Sequence, residues 1–171
     1  MKKVKSNLFD SLVLVLVGIL IYLPIYAQDT DTIAASVTAK YSAVTVTDGS
    51  VAYGSIAWSG SADTDTLTQS QTMTNDGSTG TFNIKSSQAT GGTGWTMAAA
   101  IGTIDQFEHY FSTTTVPTWV QFNTNPSTYK TATTSIAAGN SENLDLKITV
   151  PDETTDFVAK SITVTVQAVA D

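Results

Sequence analysis

The chain of 171 residues carries 15 acids against 8 basic residues, all Lys, for a net charge of −7, and it has one His and no Cys. Without clustered positive charge it lacks the phosphate contacts that nucleic acid or an anionic lipid surface demands. Without Cys it has neither disulfides nor a thiolate metal site, and a lone imidazole excludes most metal-hydrolase and thiol-nucleophile arrangements.

The first element is an apolar helical segment. Lys2, Lys3 and Lys5 lead into Leu12 to Leu23, Pro24 breaks the helix, and Ala27 supplies the small residue that a signal peptidase reads. The apolar run from Leu12 to Tyr26 is 15 residues, short of the roughly 20 that cross a bilayer. Residues 1–27 therefore read as a signal-peptide helix cleaved before Gln28, and no Cys follows to accept a lipid. Residues 28–171 read as one domain, secreted or extracellular and associated with the cell surface, with no membrane element after cleavage. That part holds 5 Lys against 14 acids, a net charge of −9, with His109 neutral.

From Gln28 onward the apolar period is two, the signature of half-buried strands. In chain order the alternation runs through Ile33-Ala35-Val37, Val44-Val46, Phe82-Ile84, Trp95-Met97, Val120-Phe122, Leu144-Leu146-Ile148-Val150 and Ile162-Val164-Val166-Ala168. Thr, a strand former, supplies 30 of these 144 residues. Turn chemistry falls between the runs: Asp48-Gly49 joins Val44–Thr47 to Ser50–Tyr53, and Asn75-Asp76-Gly77-Ser78 separates Thr66–Thr74 from Thr81–Ser86. Breaks at Gly91-Gly92, Pro117, Asn125-Pro126, Gly139-Asn140 and Pro151 complete a spacing that predicts about eight to ten short antiparallel strands. So many strands bury their alternating faces by folding into two sheets, which makes a β-sandwich the expected all-β architecture.

Ala138-Gly139-Asn140, then Leu144 to Pro151 and Ser161 to Val166, resembles the closing hairpin of bacterial Ig-like surface domains. Val51-Ala52-Tyr53-Gly54-Ser55-Ile56 and Gly92-Thr93-Gly94-Trp95-Thr96-Met97 are similar to the aromatic-Gly strand and the Gly-Trp-x-Leu element of WxL-type cell-wall proteins. Met97 replaces the motif's Leu, and the second Trp-x-Leu is missing near the C terminus. The resemblance implies an antiparallel Ig-like (Greek-key) sandwich on a secreted, surface-associated protein.

Candidate chemistry is sparse. Strand alternation sets His109 beside Phe107 and Phe111 and opposite Glu108 and Tyr110, so it reads as a partly buried strand residue. No Gly-x-Ser-x-Gly elbow accompanies it. Glu108, Glu142 and Glu153 are scattered and read as surface charge, so no enzyme activity and no catalytic residue is expected. No cofactor is expected: the acidic clusters read first as solvated turns, with a weak Ca²⁺ site as the alternative, its candidate ligands being Asp63 and Asp65 in one loop and Asp152 and Asp156 in another. Asp29 and Asp31 form a further acidic pair. Each cluster falls short of the six to eight oxygens that Ca²⁺ takes. Among the three Trp residues, Trp95 and Trp58 are expected to pack, whereas Trp119 faces away from Val120 and Phe122 and is the candidate for stacking on a sugar ring. The expected function is a non-enzymatic structural or adhesive protein; residues 28–40 read first as the opening strand of their own domain, with strand addition to the edge of another copy as the alternative that would make it self-assembling. The competing reading is a carbohydrate-binding module. Expected partners are other cell-surface proteins, cell-wall or extracellular polysaccharide, or a second copy.

Overall fold

The two-residue alternation is realised as ten strands in the computed structural model, which describes residues 34–155 and 157–171. The expected signal helix over residues 1–27 lies outside the described residues, as do Asp29, Asp31, Ile33 and Asp156. Among the described residues no helix is long and apolar enough to cross a membrane.

The strands are β1 (Val44–Thr47), β2 (Ser61–Asp63), β3 (Gln71–Asn75), β4 (Gly80–Ser86), β5 (Thr96–Met97), β6 (Gln106–Thr113), β7 (Val120–Gln121), β8 (Lys130–Ile136), β9 (Ser141–Thr149) and β10 (Val164–Ala170). A larger sheet has the order β1-β3-β9-β6-β5, with β2 also on β9 and β7 also on β6; a smaller sheet has the order β10-β4-β8. Register fixes which side chains face inward. Pairing of β6 with β9 sets His109 opposite Ile148 and Phe111 opposite Leu146 on the core side. On the same ladder Tyr110 lies opposite Lys147, and Ser112 opposite Asp145, on the outer side.

One core lies between the sheets. Phe82 and Ile84 of β4 meet Met73 of β3, Phe107 and Phe111 of β6, and Leu144 of β9, all fully buried or nearly so. Each such side chain contributes about 1.5–3 kcal/mol on leaving water. β4 takes the centre of the smaller sheet, where the burial of its alternate residues is complete. Gly80, at its start, lets β10 approach: a Cβ there would sit 2.5 Å from the Val169 carbonyl oxygen.

Three expectations change. The predicted closing hairpin is absent, because β9 lies in the larger sheet and β10 in the smaller one. Both strands bury an apolar face, and they do so across the core rather than edge to edge. The Asn75–Ser78 turn does separate β3 from β4 as expected, and it crosses as an arch from the larger sheet to the smaller. Asn75 is buried, donates to the Ser78 and Ile136 carbonyls at 2.9 and 2.7 Å, and accepts from Gly77 N–H at 3.0 Å. Pairing is not wholly antiparallel either: β5 runs parallel to β6, because the chain loops through residues 98–105 and returns alongside itself. Asp48 and Gly49 do adopt positive φ, 66° and 60°, yet residues 50–53 form no strand after that turn.

Residues 39–171 form one compact unit. Of the other, residues 34–38 are described; they are exposed, form no strand, and include Val37 at 95% exposure.

Candidate functional site

β10 has a single strand neighbour among the described residues, β4. Ser87 N–H donates to the Thr163 carbonyl at 2.9 Å and Asp171 N–H to the Thr79 carbonyl at 3.0 Å. The odd-numbered residues of β10 therefore turn their backbone groups toward β4. Val164, Val166, Ala168 and Ala170 turn theirs the other way. Ala170 N–H is taken by Ser42 Oγ at 2.9 Å; the remaining three present a free row of donors and acceptors among the described residues. Their side chains point inward and are only half-buried.

Beside that edge the two sheets part around a cavity of about 780 Å³. Val46 of β1, the β9 residues Leu144, Leu146 and Ile148, and Val164 and Val166 of β10 supply apolar walls; irregular segments around Tyr53 and Val158 supply the rest. The space is partly open to solvent, and its size falls in the range of ligand-binding clefts. Among the described residues Lys160 is the one Lys on its lining, and it donates to the Gly91 and Thr93 carbonyls at 2.8 and 2.6 Å. The buried Oε1 of Gln71, also on the lining, has no hydrogen-bond partner.

His109 closes the floor of this cavity and is fully buried rather than partly so. Ser86 Oγ lies 2.8 Å from Nδ1 and Tyr53 OH 3.4 Å from Nε2, and the Phe122 ring is 4.8 Å away. Burial pushes the imidazole down to about 3. Burial first, and the charge of Asp63 second, push the Tyr53 phenol up. A neutral imidazole with one donor and one acceptor suits two hydroxyl neighbours, and this ring is a packing and hydrogen-bonding element.

The outer face of the larger sheet carries a second feature. Trp119, 39% exposed, borders a shallow recess of about 410 Å³ with Asp65, Ser112, Asn143 and Asp145. Lys147 lies 5.9 Å from the Trp119 ring centre and 5.8 Å from that of Tyr110, within cation–π range. Sequence reasoning found Trp119 and Asp65 but missed Asp145, which only the β6–β9 register brings beside them.

The other acidic candidates do not converge. Asp63 accepts from Thr66 N–H at 2.8 Å within its own turn, and Asp152 accepts from Ser59 Oγ at 2.6 Å. Among the described residues no three His, Cys, Asp or Glu side chains gather as a metal would require. One well-anchored acid is one that sequence reasoning passed over. Asp105 is held at φ 58° and accepts from Thr154 Oγ1, Thr155 N–H and Thr155 Oγ1 at 2.6, 3.0 and 2.6 Å, pinning the β9–β10 connection. Glu142, expected at the surface, is buried and accepts from Thr115 N–H at 2.9 Å. Its place on the inward face of β9 puts it there. Trp58, expected to pack, is 56% exposed and stacks on Phe157 at 6.1 Å, because residues 54–58 lie outside any strand. Trp95 is half-buried, with Nε1 donating to Thr154 Oγ1 at 3.1 Å.

No protein-family model, no curated protein and no solved structure matches the chain.

Proposed function

We propose that the protein is an exported, non-enzymatic structural or adhesive component of the cell exterior: an Ig-like sandwich that associates with further copies, or with other surface proteins, by adding a strand to the β10 edge. The observation that carries this reading is the unpaired row at Val164, Val166 and Ala168, set over a half-buried apolar stripe. Free edges of this kind template strand addition unless covered, charged or bulged. No charged residue interrupts β10 itself. The sequestered state of His109, the chain's one imidazole, supports a role without acid–base chemistry.

Light scattering with negative-stain microscopy on the exported chain tests it. Concentration-dependent oligomers or filaments are expected. Monodisperse monomers at high concentration would sink the reading.

The Trp119 recess favours a second reading, carbohydrate binding on the outer face of the larger sheet. An exposed indole flanked by hydroxyl, amide and carboxylate groups offers a ring with both a stacking surface and hydrogen bonds. Pull-down on extracellular polysaccharides, with Trp119→Ala as the comparison, separates it from the first: retention that Trp119→Ala abolishes supports it, and no retention on any glycan ends it.

A further inference from the structure

We infer that the occupant of the β10 edge and the cavity beside it is residues 29–38 of a second copy of this chain, laid parallel to β10 with Ile33, Ala35 and Val37 entering the cavity. The inference rests on the self-association proposed above and adds the identity of the inserted strand, its direction and its register.

Three observations lead there. Val164 and Val166 of β10 line the cavity with side chains only half-buried, and β10 has no strand on that side among the described residues, so one more strand there would add a layer of side chains. The chain itself carries a segment of matching pattern: Ile33, Ala35 and Val37 alternate with Thr32, Ala34, Ser36 and Thr38 at the period of a strand buried on one face. Residues 34–38 lie outside the compact unit that begins at Ala39, and Val37 is 95% exposed there, so its side chain is accessible to a partner.

Charge gives the direction. Asp29 and Asp31 open the segment, and among the described residues Lys160 is the one Lys on the cavity lining, four residues before the start of β10. Lys160 already donates to the Gly91 and Thr93 carbonyls and lies 5.4 Å from the Trp95 ring centre, and an Asp31 carboxylate joining that group orients the donor parallel to β10. The shared two-residue period then brings Ile33 to Ile162, Ala35 to Val164 and Val37 to Val166. A slip of one residue would turn Thr32, Ala34 and Ser36 into the cavity, so the apolar pattern defines the register. At the far end Ser42 already holds Ala170 N–H, which limits the inserted strand to the stretch from Ile162 to Ala168. Such a contact is heterologous: each copy gives a segment and receives one, so the chain of copies grows without closing unless its rotation makes a ring.

The absence of native Cys makes the test direct. Two single-Cys forms of the full exported chain, Val37→Cys and Val166→Cys, are mixed and oxidised. A disulfide-linked heterodimer is expected, about tenfold over a mixture of Val37→Cys with Thr165→Cys, whose side chain faces away. A chain carrying both Val37→Cys and Val166→Cys is run in parallel at high dilution. An internal disulfide there, with no cross-link between the single-Cys forms, would show that the segment folds onto its own domain and overturn the inference. Oligomers that form without the Val37–Val166 cross-link would also overturn it while leaving edge association standing; monomers throughout would remove both. A monomer that instead takes up an apolar probe dye in the cavity, with no cross-link, would assign the space to a small ligand and overturn it as well. Circular dichroism of each Cys variant confirms folding, and Val37, being exposed, tolerates the change.

Discussion

The imidazole of His109 is held neutral by its surroundings, and this has a consequence for stability. It sits among Phe107, Phe122 and two hydroxyl groups, with burial pushing it down to about 3 from an ordinary value of 6.5. Between those values the unfolded chain binds a proton there that the folded chain refuses. The unfolded state is therefore favoured as pH falls through that window. Stability from this group is fully present above about pH 6.5 and is lost progressively toward pH 3, by about 1.4 kcal/mol per unit in the middle of the window. His109→Phe is expected to cost stability at neutral pH, because Ser86 and Tyr53 lose a partner, yet to flatten the decline between pH 6 and 4. Urea unfolding of both forms across that range checks it, and equal slopes would show that His109 does not titrate with folding. The inward face of His109 was legible from its place between Phe107 and Phe111. Its hydroxyl partners were not, since Ser86 and Tyr53 stand 23 and 56 residues away and only the docking of β4 and the residue 50–56 segment brings them in. Glu142 was misread for a related reason: a carboxylate on the inward face of a strand breaks the alternation that reveals burial, and its Thr115 and Thr133 partners lie outside the strand's own pattern.

At the scale of elements, alternation and turn residues located most strands but not their partners. β9 and β10 each read clearly in Leu144–Val150 and Ile162–Ala168, yet a period of two says which face is buried and nothing about whether two such faces meet edge to edge or across a core. Segments without alternation, such as residues 49–58 that wall the cavity, carried no such signal. β4 joins β10 to β8, so the smaller sheet depends on its spacing from both. Gly80 sets that spacing on one side, its missing Cβ leaving room for the Val169 carbonyl. Gly80→Ala is expected to lift the Ala170 end of β10 off β4 and to destabilise the fold by roughly 1–3 kcal/mol, the ordinary range for overpacking. Faster amide exchange of Val169 relative to Asn83 would accompany it. A wild-type exchange pattern with unchanged stability would mean that the ladder accommodates a methyl group there.

For the whole molecule, the proposed insertion at the cavity and free edge would make stability a property of the assembly as much as of the chain. Two sheets share one core, on the β10 side the apolar side chains are only half-buried, and Ile33, Ala35 and Val37 from another copy would cover them at about 0.8 kcal/mol per buried CH₂. A partner that binds only the folded state raises apparent stability by mass action. Each tenfold rise in protein concentration should then add about 1.4 kcal/mol, or about 5 °C in the midpoint of thermal unfolding for a domain of this size. Val37→Asp places a carboxylate where the donor side chain would enter an apolar space, a cost of several kcal/mol without a partner. Its midpoint is expected to lie near that of dilute wild type and to stay there as concentration rises. Scanning calorimetry of both proteins over two decades of concentration decides the matter: parallel, flat midpoints would mean that the fold is complete in a single copy, and the cavity would then have to be stabilised from within.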